Sequence, residues 1–363
     1  MRILHVLPSL SPGGMERLVI QLTADATGHG DSVIVASGHG AWEEKILAAG
    51  AVHVALPATA RGTAFGMATA IATARLASCI RHARPHVVHA HNVRAAAMAR
   101  LALVGTRDRT VLMPTLHGVA PGDYGTASRV LRGVAHRVIA CAPSVARSLE
   151  AAGFPGDRID VITNGAALQP ASLQRQASLR ASLQLGSAPL VVGIGRLVEQ
   201  KSWPVFIGAA GRLEGPSFAV AGDGPLRQEL TDLARRSGSG VRFLGVVDDI
   251  AALVGLACCV VSTSSWEGLP LSLLEALSIG APVVATAVDG VTDLVPAAAA
   301  LLVAPGDPVA VSEAISRVLS DDDLAMELRR NALAAAPSWG PQGMLDRYRN
   351  AYRAAWAGKS RWA

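Results

Sequence analysis

The chain of 363 residues is poor in aromatic side chains, contains only three lysines and four cysteines, and has no long uncharged apolar run. No stretch reaches the roughly 20 apolar residues that span a bilayer, and His5 and Pro8 interrupt the N-terminus, so neither a membrane span nor a signal peptide is expected. The cysteines have neither metal-ligand spacing nor the density of a disulfide framework. We therefore expect a cytoplasmic protein with at most peripheral membrane contact.

The positive charge is concentrated in one half of the chain. Residues 1–170 carry 16 Lys and Arg against 10 Asp and Glu, whereas the remainder carries 17 against 18. No basic run with interleaved aromatics occurs, so nucleic-acid binding is not expected. Arg75, Arg81 and Arg84 follow an Ala- and Thr-rich stretch, and they fit either contact with anionic lipid or a solvated helix face.

Length and patterning predict two α/β domains. The chain exceeds what one hydrophobic core usually serves, and half of its residues are hydrophobic, with Ala and Val prominent. Short apolar runs alternate with amphipathic segments, as in doubly wound parallel sheets. The predicted strands are residues 3–7, 32–36, 52–56, 87–90, 110–114, 138–141 and 159–162, followed by 190–194, 218–221, 241–244, 259–262, 283–286 and 300–303.

A polar segment between Asn164 and Pro189 interrupts this alternation and predicts a hinge followed by a short helix. We place an N-terminal domain at residues 1–168 and a C-terminal domain at residues 169–342. The last helix, within 343–363, is predicted to pack back onto the first domain, because its apolar residues recur every four positions. These residues are Met344, Tyr348, Tyr352 and Trp356.

Two glutamates, Glu267 and Glu275, lie eight residues apart and carry the strongest functional signal. A Gly-Leu-Pro turn follows the first and an apolar helical run contains the second, so one carboxylate is predicted in a loop and the other in a helix. Sugar, phosphate and ribose would fit between them in that order. The N–H groups offered to the phosphate at the helix start belong to Gly268, Leu269, Leu271 and Ser272. A helix-start carboxylate and a solvated helix face are the alternative interpretation.

Arg196 and Lys201 follow the first predicted strand of the second domain, where a planar guanidinium and an ammonium would meet one diphosphate. The pair is also compatible with a solvated loop, with Lys201 bridged to Glu199. Gly13 and Gly14 follow the first strand of the chain and open a helix, so the backbone can approach a ligand there, although a ligand-free tight turn fits equally. Neither a dinucleotide-binding glycine fingerprint nor a Walker A motif occurs.

His117 ends an apolar strand at the edge where an open α/β sheet presents ligands. His89 and His91 end another strand, and each is more often a hydrogen-bonded structural residue. A zinc site is possible in principle, but no acidic or cysteine third ligand has suitable spacing. We predict no metal and no cofactor.

With these motifs in view, the chain resembles the retaining glycosyltransferases of family 4, which have the GT-B fold of two Rossmann-like domains facing a cleft. The resemblance runs nearly end to end. It departs from the family pattern at Ala167, where the family often has Asp, at Ser202, where Gly is common, and at Asp293, which replaces a frequent Glu. The matching segments are Gly13–Gly14, His117, Pro143–Ser144, 161–165, 195–197 with Lys201, 221–225, 243–245, 267–276 and 280–286.

The resemblance implies a role for each site residue. Glu275 would bind the ribose hydroxyls and Glu267 the donor sugar, while Arg196 and Lys201 would neutralise the diphosphate. N–H groups of Gly14, Leu271 and Ser272 would assist at the diphosphate. His117 would lie beside the transferred sugar, and the backbone near Val246 would meet the base. His117, Arg196, Lys201 and Glu267 are the implied catalytic residues.

The implied activity is transfer of a hexosyl group, with retention of configuration, from a nucleotide-diphosphate sugar to an acceptor hydroxyl. A UDP-sugar is the favoured donor, and the acceptor is a small molecule, a saccharide or a lipid-linked sugar. Two alternatives remain open: a nucleotide-sugar epimerase with the same fold, and a catalytically silent partner protein.

Overall fold

The structure is a computed structural model that describes residues 1–57, 65–106 and 109–358 of the chain. It divides into two compact units. The first comprises Met1–Asn164 and Gln342–Ala363, and the second comprises Gly165–Pro341. Residues 359–363, at the end of the predicted last helix, lie outside the described residues. Within the described ranges, no helix combines the length and the apolar character that crossing a bilayer requires.

The first unit is built on a seven-stranded sheet in the order β3-β2-β1-β4-β5-β6-β7, with every neighbouring pair parallel. The seven strands predicted for this half are confirmed. They are β1 (Arg2–Ser9), β2 (Ser32–Gly38), β3 (Val52–Ala55), β4 (Val87–Ala90), β5 (Val111–Leu116), β6 (Val138–Ala140) and β7 (Ile159–Val161).

Seven helices belong to the described part of this unit. They are α1 (Gly14–Gly28), α2 (Glu43–Ala48), α3 (Phe65–Ala83), α4 (Val93–Ala102), α5 (Tyr124–Val134), α6 (Pro143–Ala151) and α15 (Pro341–Gly358). Helix α15 returns from the far end of the chain. Its Met344, Tyr348 and Tyr352 are buried in the same core as β1 and α1, whereas Trp356 is exposed and its ring lies 4.5 Å from that of His86.

The second unit contains a six-stranded parallel sheet in the order β10-β9-β8-β11-β12-β13. The six strands predicted for this half are also confirmed. They are β8 (Leu190–Ile194), β9 (Ser217–Ala221), β10 (Arg242–Gly245), β11 (Ala257–Ser262), β12 (Val283–Thr286) and β13 (Leu301–Val303). Its helices are α7 (Leu173–Ser182), α8 (Trp203–Ala210), α9 (Arg227–Arg236), α10 (Ile250–Leu256), α11 (Leu271–Ser278), α12 (Asp289–Thr292), α13 (Pro308–Ser320) and α14 (Asp322–Ala335).

Both faces of the second sheet are covered, because alternate residues of each strand point to opposite faces. Val191 of β8 packs with Phe206 of α8 in one cluster, whereas Leu190 and Val192 pack with Leu253 of α10 in another. Burial on both faces explains why the strands read as nearly continuous apolar runs.

The strand orders place the loops that carry the site. In the first sheet β1 lies between β2 and β4, and in the second sheet β8 lies between β9 and β11. At such a point the chain turns to opposite sides of the sheet, leaving a crevice at the carboxyl ends of the strands where α/β proteins bind ligands. The loops after β1, β5, β8 and β11 are therefore the candidate binding loops.

Gly222, directly after β9, supports the loop after β8. Its φ is +148°, and a Cβ there would overlap the carbonyl oxygen of Gly195. We expect Gly222→Ala to lower the free energy of unfolding by about 2 kcal/mol or more, since backbone cannot yield as a side chain can. Gly240→Ala is the matched control, because its φ is +68° and an added Cβ meets no described atom within 4 Å. If urea denaturation showed the same loss of unfolding free energy for both variants, the steric overlap at Gly222 would be contradicted.

Candidate functional site

The loop after β8 carries Lys201 on a short 3-10 turn, Glu199–Lys201, which leads directly into α8. Ser202 joins the two in the left-handed region, at φ 46° and ψ 45°. A non-glycine residue there costs about 1 kcal/mol or more, so surrounding contacts must stabilise the turn. This geometry explains why the family pattern often has glycine at this position.

Lys201 and Glu267 form an ion pair in which Nζ lies 2.5 Å from Oε1. The side chains are 17% and 4% exposed, so the carboxylate is nearly buried and requires partners. Ser264 Oγ donates to Oε1 over 2.6 Å, and Gln200 Nε2 donates to Oε2 over 3.3 Å. The predicted alternative partner of Lys201, Glu199, is not the one that it meets. Oε1 is thus held by two short contacts and Oε2 by one long contact.

The segment after β11 fastens the turn that carries Lys201. Thr263 Oγ1 donates to the carbonyl oxygens of Lys201 and Ser202, at 3.0 and 3.2 Å. The N–H of Ser265 donates to the carbonyl of Gln200 over 2.9 Å, and the hydroxyls of Ser265 and Ser202 are hydrogen-bonded to each other. Sequence reasoning missed Gln200 and Thr263, because their contacts link loops more than 60 residues apart.

Glu275 lies inside α11 and is 5% exposed, while Glu267 lies in the preceding loop, as the spacing of the two carboxylates predicts. Ser272 Oγ donates to the carbonyl of Ile194 at the end of β8, over 3.2 Å. The N–H of Leu271 donates to the carbonyl of Leu269 over 3.1 Å, so this predicted phosphate donor has an internal partner. The helix start is thereby fixed to the strand that precedes the loop of Lys201.

The remaining residues predicted in this unit are more open. Arg196 is exposed, and its guanidinium has no hydrogen-bond or ion-pair partner among the described residues. Its backbone carbonyl accepts a hydrogen bond of 2.9 Å from Trp203 Nε1, which fixes the main chain beneath the side chain. Val246, just after β10, is 53% exposed. Gly268 is buried, and Leu269 is partly buried.

In the first unit, Gly13 and Gly14 open α1 as predicted, with Gly13 in an extended conformation. The Glu16 carboxylate folds back over Gly13 and occupies the place that a Cβ there would take. Glu16 is only 9% exposed. Since a carboxylate repels a phosphate, an anion approaching Gly14 would have to displace it. The sequence reasoning missed this acidic neighbour.

His5, His89 and His91 are fully buried beside His117 at the carboxyl edge of the first sheet. His5 and His89 face each other because β1 and β4 pair them in register. His5 Nδ1 and His91 Nε2 are 3.0 Å apart, and the rings of His91 and His117 stack at 5.9 Å with 14° between planes. Four histidines therefore form one continuous cluster.

Polar residues from α15 and β5 complete this cluster. His89 Nδ1 lies 2.6 Å from the hydroxyl of Tyr352, and its Nε2 lies 2.7 Å from Thr115 Oγ1. The hydroxyl of Tyr348 lies 3.4 Å from Thr115 Oγ1 and donates to Asn164 Oδ1 over 3.1 Å. The helix stripe predicted from the spacing of four thus contributes hydrogen bonds as well as apolar surface.

Burial keeps these histidines neutral. It lowers the pKa of His5 to about 3 and that of His117 to about 4. Burial also lowers the pKa values of His89 and His91 well below the ordinary range, with a smaller contribution from neighbouring histidines. His117 Nε2 is buried and has no hydrogen-bond partner within the described ranges.

His5, His89 and His91 also bring one ring nitrogen each within 4.8 Å of one another, so a third imidazole is available that the sequence spacing did not suggest. Both nitrogens of His89 are engaged by Tyr352 and Thr115, and the ring centroids of His89 and His91 lie 3.9 Å apart with 38° between the ring planes. Metal-bound imidazoles instead direct their nitrogens at one point. The arrangement is that of a hydrogen-bonded cluster, and the absence of a metal stays a prediction.

Comparison with known proteins identifies the class to which these two units belong. Residues 12–169 match the family model described as Glycosyltransferase Family 4, and residues 188–321 match the model described as Glycosyl transferases group 1. The chain therefore contains a domain of the glycosyltransferase family 4 type and one of the group 1 type, and the resemblance to family 4 glycosyltransferases inferred from its motifs is confirmed.

Among curated proteins, the chain is 31% identical over 167 residues to alpha-D-kanosaminyltransferase of Streptomyces kanamyceticus, covering 44% of this chain and 43% of that protein. It is 31% identical over 224 residues to the lipopolysaccharide core biosynthesis glycosyltransferase LpsE of Rhizobium meliloti, covering 60% and 64%. For the first of these relatives, the match spans less than half of that protein's length.

Among solved structures, Anabaena HepE in complex with UDP-glucose superposes with a TM-score of 0.86 at 21% identity, covering 98% of this chain and all of that one. Sucrose-phosphate synthase from Thermosynechococcus elongatus gives a TM-score of 0.83 at 20% identity, covering 98% and 99%. These similarities confirm the predicted GT-B fold class.

The buried histidines make the stability of the protein pH-dependent. Their pKa values lie below the ordinary value of about 6.5 expected in the unfolded chain, so unfolding takes up protons once the pH falls below that value. The stabilisation is complete above about pH 6.5 and is lost as the pH falls toward the folded-state values. Each such histidine removes up to about 1.4 kcal/mol per pH unit.

Urea denaturation between pH 7.5 and 5.5 measures this loss. We expect the slope of unfolding free energy against pH to correspond to several protons, and His117→Asn to reduce it by about one proton. An unfolding free energy that does not change over this range would refute neutral burial of the cluster.

Proposed function

We propose that the protein transfers a hexosyl group, with retention of configuration, from a nucleotide-diphosphate sugar to an acceptor hydroxyl. A UDP-sugar is the favoured donor, and no metal takes part. The observation that carries the proposal is the Lys201–Glu267 pair, held by the loops after β8 and β11 at the carboxyl edge of the second sheet. Buried Glu275 lies eight residues beyond it.

The cations act on the leaving group. Departure of the nucleoside diphosphate creates negative charge on its terminal phosphate, and preorganised positive groups lower the barrier most where charge develops. Lys201 supplies a fixed ammonium and Arg196 an exposed guanidinium fork. The N–H group of Ser272 adds a donor. That of Gly14 joins it if the Glu16 carboxylate is displaced, and that of Leu271 joins it if it leaves its internal bond to Leu269.

The carboxylates act on hydroxyl groups. Glu275 accepts hydrogen bonds from the ribose, and Glu267 accepts them from the donor sugar. Glu267 offers Oε2 for this purpose, because its Oε1 already receives Lys201 and Ser264 at 2.5 and 2.6 Å. Bound hydroxyls would complete the coordination of a carboxylate that is otherwise buried at some energetic cost.

His117 acts beside the transferred sugar as a neutral hydrogen-bonding group, since burial lowers its pKa to about 4. Its Nε2 is buried without a partner among the described residues, and this atom meets the sugar once it is uncovered. The backbone near Val246, which is an exposed residue, receives the base. This assignment leaves no positively charged histidine at the sugar near neutral pH.

The bond changes balance without a cofactor. The bond from the anomeric carbon to the diphosphate oxygen breaks, and a bond from the same carbon to the acceptor oxygen forms on the same face. The acceptor proton passes to the departing phosphate oxygen, which is the base produced by the reaction itself. The protein residues stabilise charge and orientation and take no electron pair.

Similar proteins support a nucleotide-sugar donor, but their names point to several different classes of acceptor. HepE was crystallised with UDP and with UDP-glucose. One relative is named for 2-deoxystreptamine and another for an undecaprenol-linked saccharide. A small aminocyclitol, a saccharide and a lipid-linked sugar are therefore the acceptor classes to test.

The donor is identified by thermal shift with UDP-, GDP- and ADP-sugars. We expect a UDP-sugar to raise the melting temperature, because a ligand that binds only the folded state stabilises it in proportion to its affinity and concentration. The transfer assay then runs in EDTA, with the anomeric configuration of the product read from its proton coupling. If no nucleotide sugar raises the melting temperature, the proposed donor class is wrong. Inversion of the anomeric configuration would overturn retention, and loss of transfer in EDTA would overturn the metal-independent reaction.

Variants of the two charged groups separate turnover from binding. We expect Lys201→Ala to lower kcat by about 100-fold or more, because the developing charge loses a fixed cation. Glu275→Ala should instead raise the donor Kd by about tenfold or more, because hydrogen bonds to a charged group are lost. Initial rates and calorimetry measure both effects. Lys45→Ala is the control, because it removes an exposed lysine of α2 and should change neither quantity. Unchanged kinetics in folded Lys201→Ala would refute the assignment of Lys201 to the diphosphate.

A further inference from the structure

We propose that Thr263 is a positioning residue for the diphosphate-binding ammonium of Lys201. The inference rests on the proposed function, since it assumes that Lys201 meets the diphosphate. Thr263 lies one residue after β11 and is 1% exposed, so it cannot contact a ligand directly. Its hydroxyl contacts are to the main chain of Lys201 and of the next residue.

The hydroxyl of Thr263 holds the two peptide groups on either side of Ser202. It has a single proton, which it shares between the carbonyl oxygens of Lys201 and Ser202 at 3.0 and 3.2 Å. Both carbonyls must therefore point toward the same atom. This contact stabilises the left-handed conformation of Ser202, which a non-glycine residue adopts only when its surroundings impose it.

The side chain of Lys201 then runs from a fixed peptide to a fixed acceptor. Its stem passes Gly195, where an added Cβ would lie 3.2 Å from Lys201 Cε, and its Nζ ends 2.5 Å from Glu267 Oε1. Ser264, the neighbour of Thr263, donates to that same Oε1. Two consecutive hydroxyl residues thus hold the two ends of the lysine side chain.

A purely structural role for Thr263 predicts different consequences. If its hydroxyl merely satisfied buried carbonyls, its loss would lower the free energy of unfolding. The folded molecules would then keep their ligand affinity and turnover, and total activity would fall only with the folded fraction. If it positions Lys201, its loss weakens binding of ligands that carry a diphosphate and leaves binding of the nucleoside unchanged, because only the diphosphate meets the ammonium.

Thr263→Val and Thr263→Ser form the matched pair of variants. Valine keeps the shape and removes the hydroxyl, whereas serine keeps the hydroxyl. Calorimetry is carried out with UDP, GDP and ADP on the wild type, and then with the tightest binder and its nucleoside on each variant. We expect Thr263→Val to weaken nucleoside diphosphate binding by about fivefold to tenfold, as loss of one net hydrogen bond implies, and Thr263→Ser to restore it. The nucleoside Kd should not change.

Two controls isolate the coupling. In a Lys201→Met background, Thr263→Val should have no further effect on diphosphate binding, because a positioning residue acts only through the group that it positions. Thr110→Val removes another buried threonine hydroxyl, which donates to the carbonyl of Pro85 over 2.8 Å in the first unit. It should leave the diphosphate Kd unchanged while lowering the melting temperature.

The outcomes distinguish the inference from the proposed function. Wild-type protein that binds none of the three nucleoside diphosphates overturns both. Tight wild-type binding that is equal in Thr263→Val overturns the inference alone, as does an equal loss for diphosphate and nucleoside. A loss that persists in full in the Lys201→Met background also overturns it, because Thr263 would then act independently of the lysine.

Discussion

The structure of the second unit depends on one buried charge. The side chain of Glu267 is 4% exposed, and a carboxylate removed from water is stable only with a cation and hydrogen-bond donors around it. Lys201 supplies the cation, while Ser264 and Gln200 supply the donors. Because these partners come from the loops after β8 and β11, satisfying one carboxylate fixes two loops at the centre of the sheet.

The two units share the same strand arrangement, but the first has neutral side chains at the carboxyl ends of its strands and the second has charged ones. In each sheet, the chain leaves the central strand and its neighbour toward opposite sides of the sheet. The loops at the carboxyl ends of these strands therefore surround one crevice. The first unit fills that place with buried imidazoles, kept neutral because burial lowers their pKa values. The second fills it with Lys201, Glu267 and exposed Arg196. Neutral donors suit hydroxyl groups, and fixed charges suit a diphosphate.

The strands could be predicted from the sequence, whereas the contacts between loops could not. All thirteen strands were predictable because their residues are mostly apolar, and burial on both faces makes the central strands continuous apolar runs. Glu267 and Glu275 were recognisable because a turn and a helix separate them locally. The bonds from Thr263 to Lys201 join residues 62 positions apart, and the pairing of His5 with His89 requires the strand order. Neither follows from local pattern.

The same distinction explains why the departure at Ser202 is tolerated. Glycine adopts the left-handed conformation without steric cost, whereas serine at φ 46° requires compensation from its surroundings. Thr263 provides a hydroxyl to the adjacent carbonyls, and Ser265 provides one to the serine side chain itself. A residue that departs from a family pattern is therefore best judged with its spatial neighbours, because the compensating groups lie on another strand's loop.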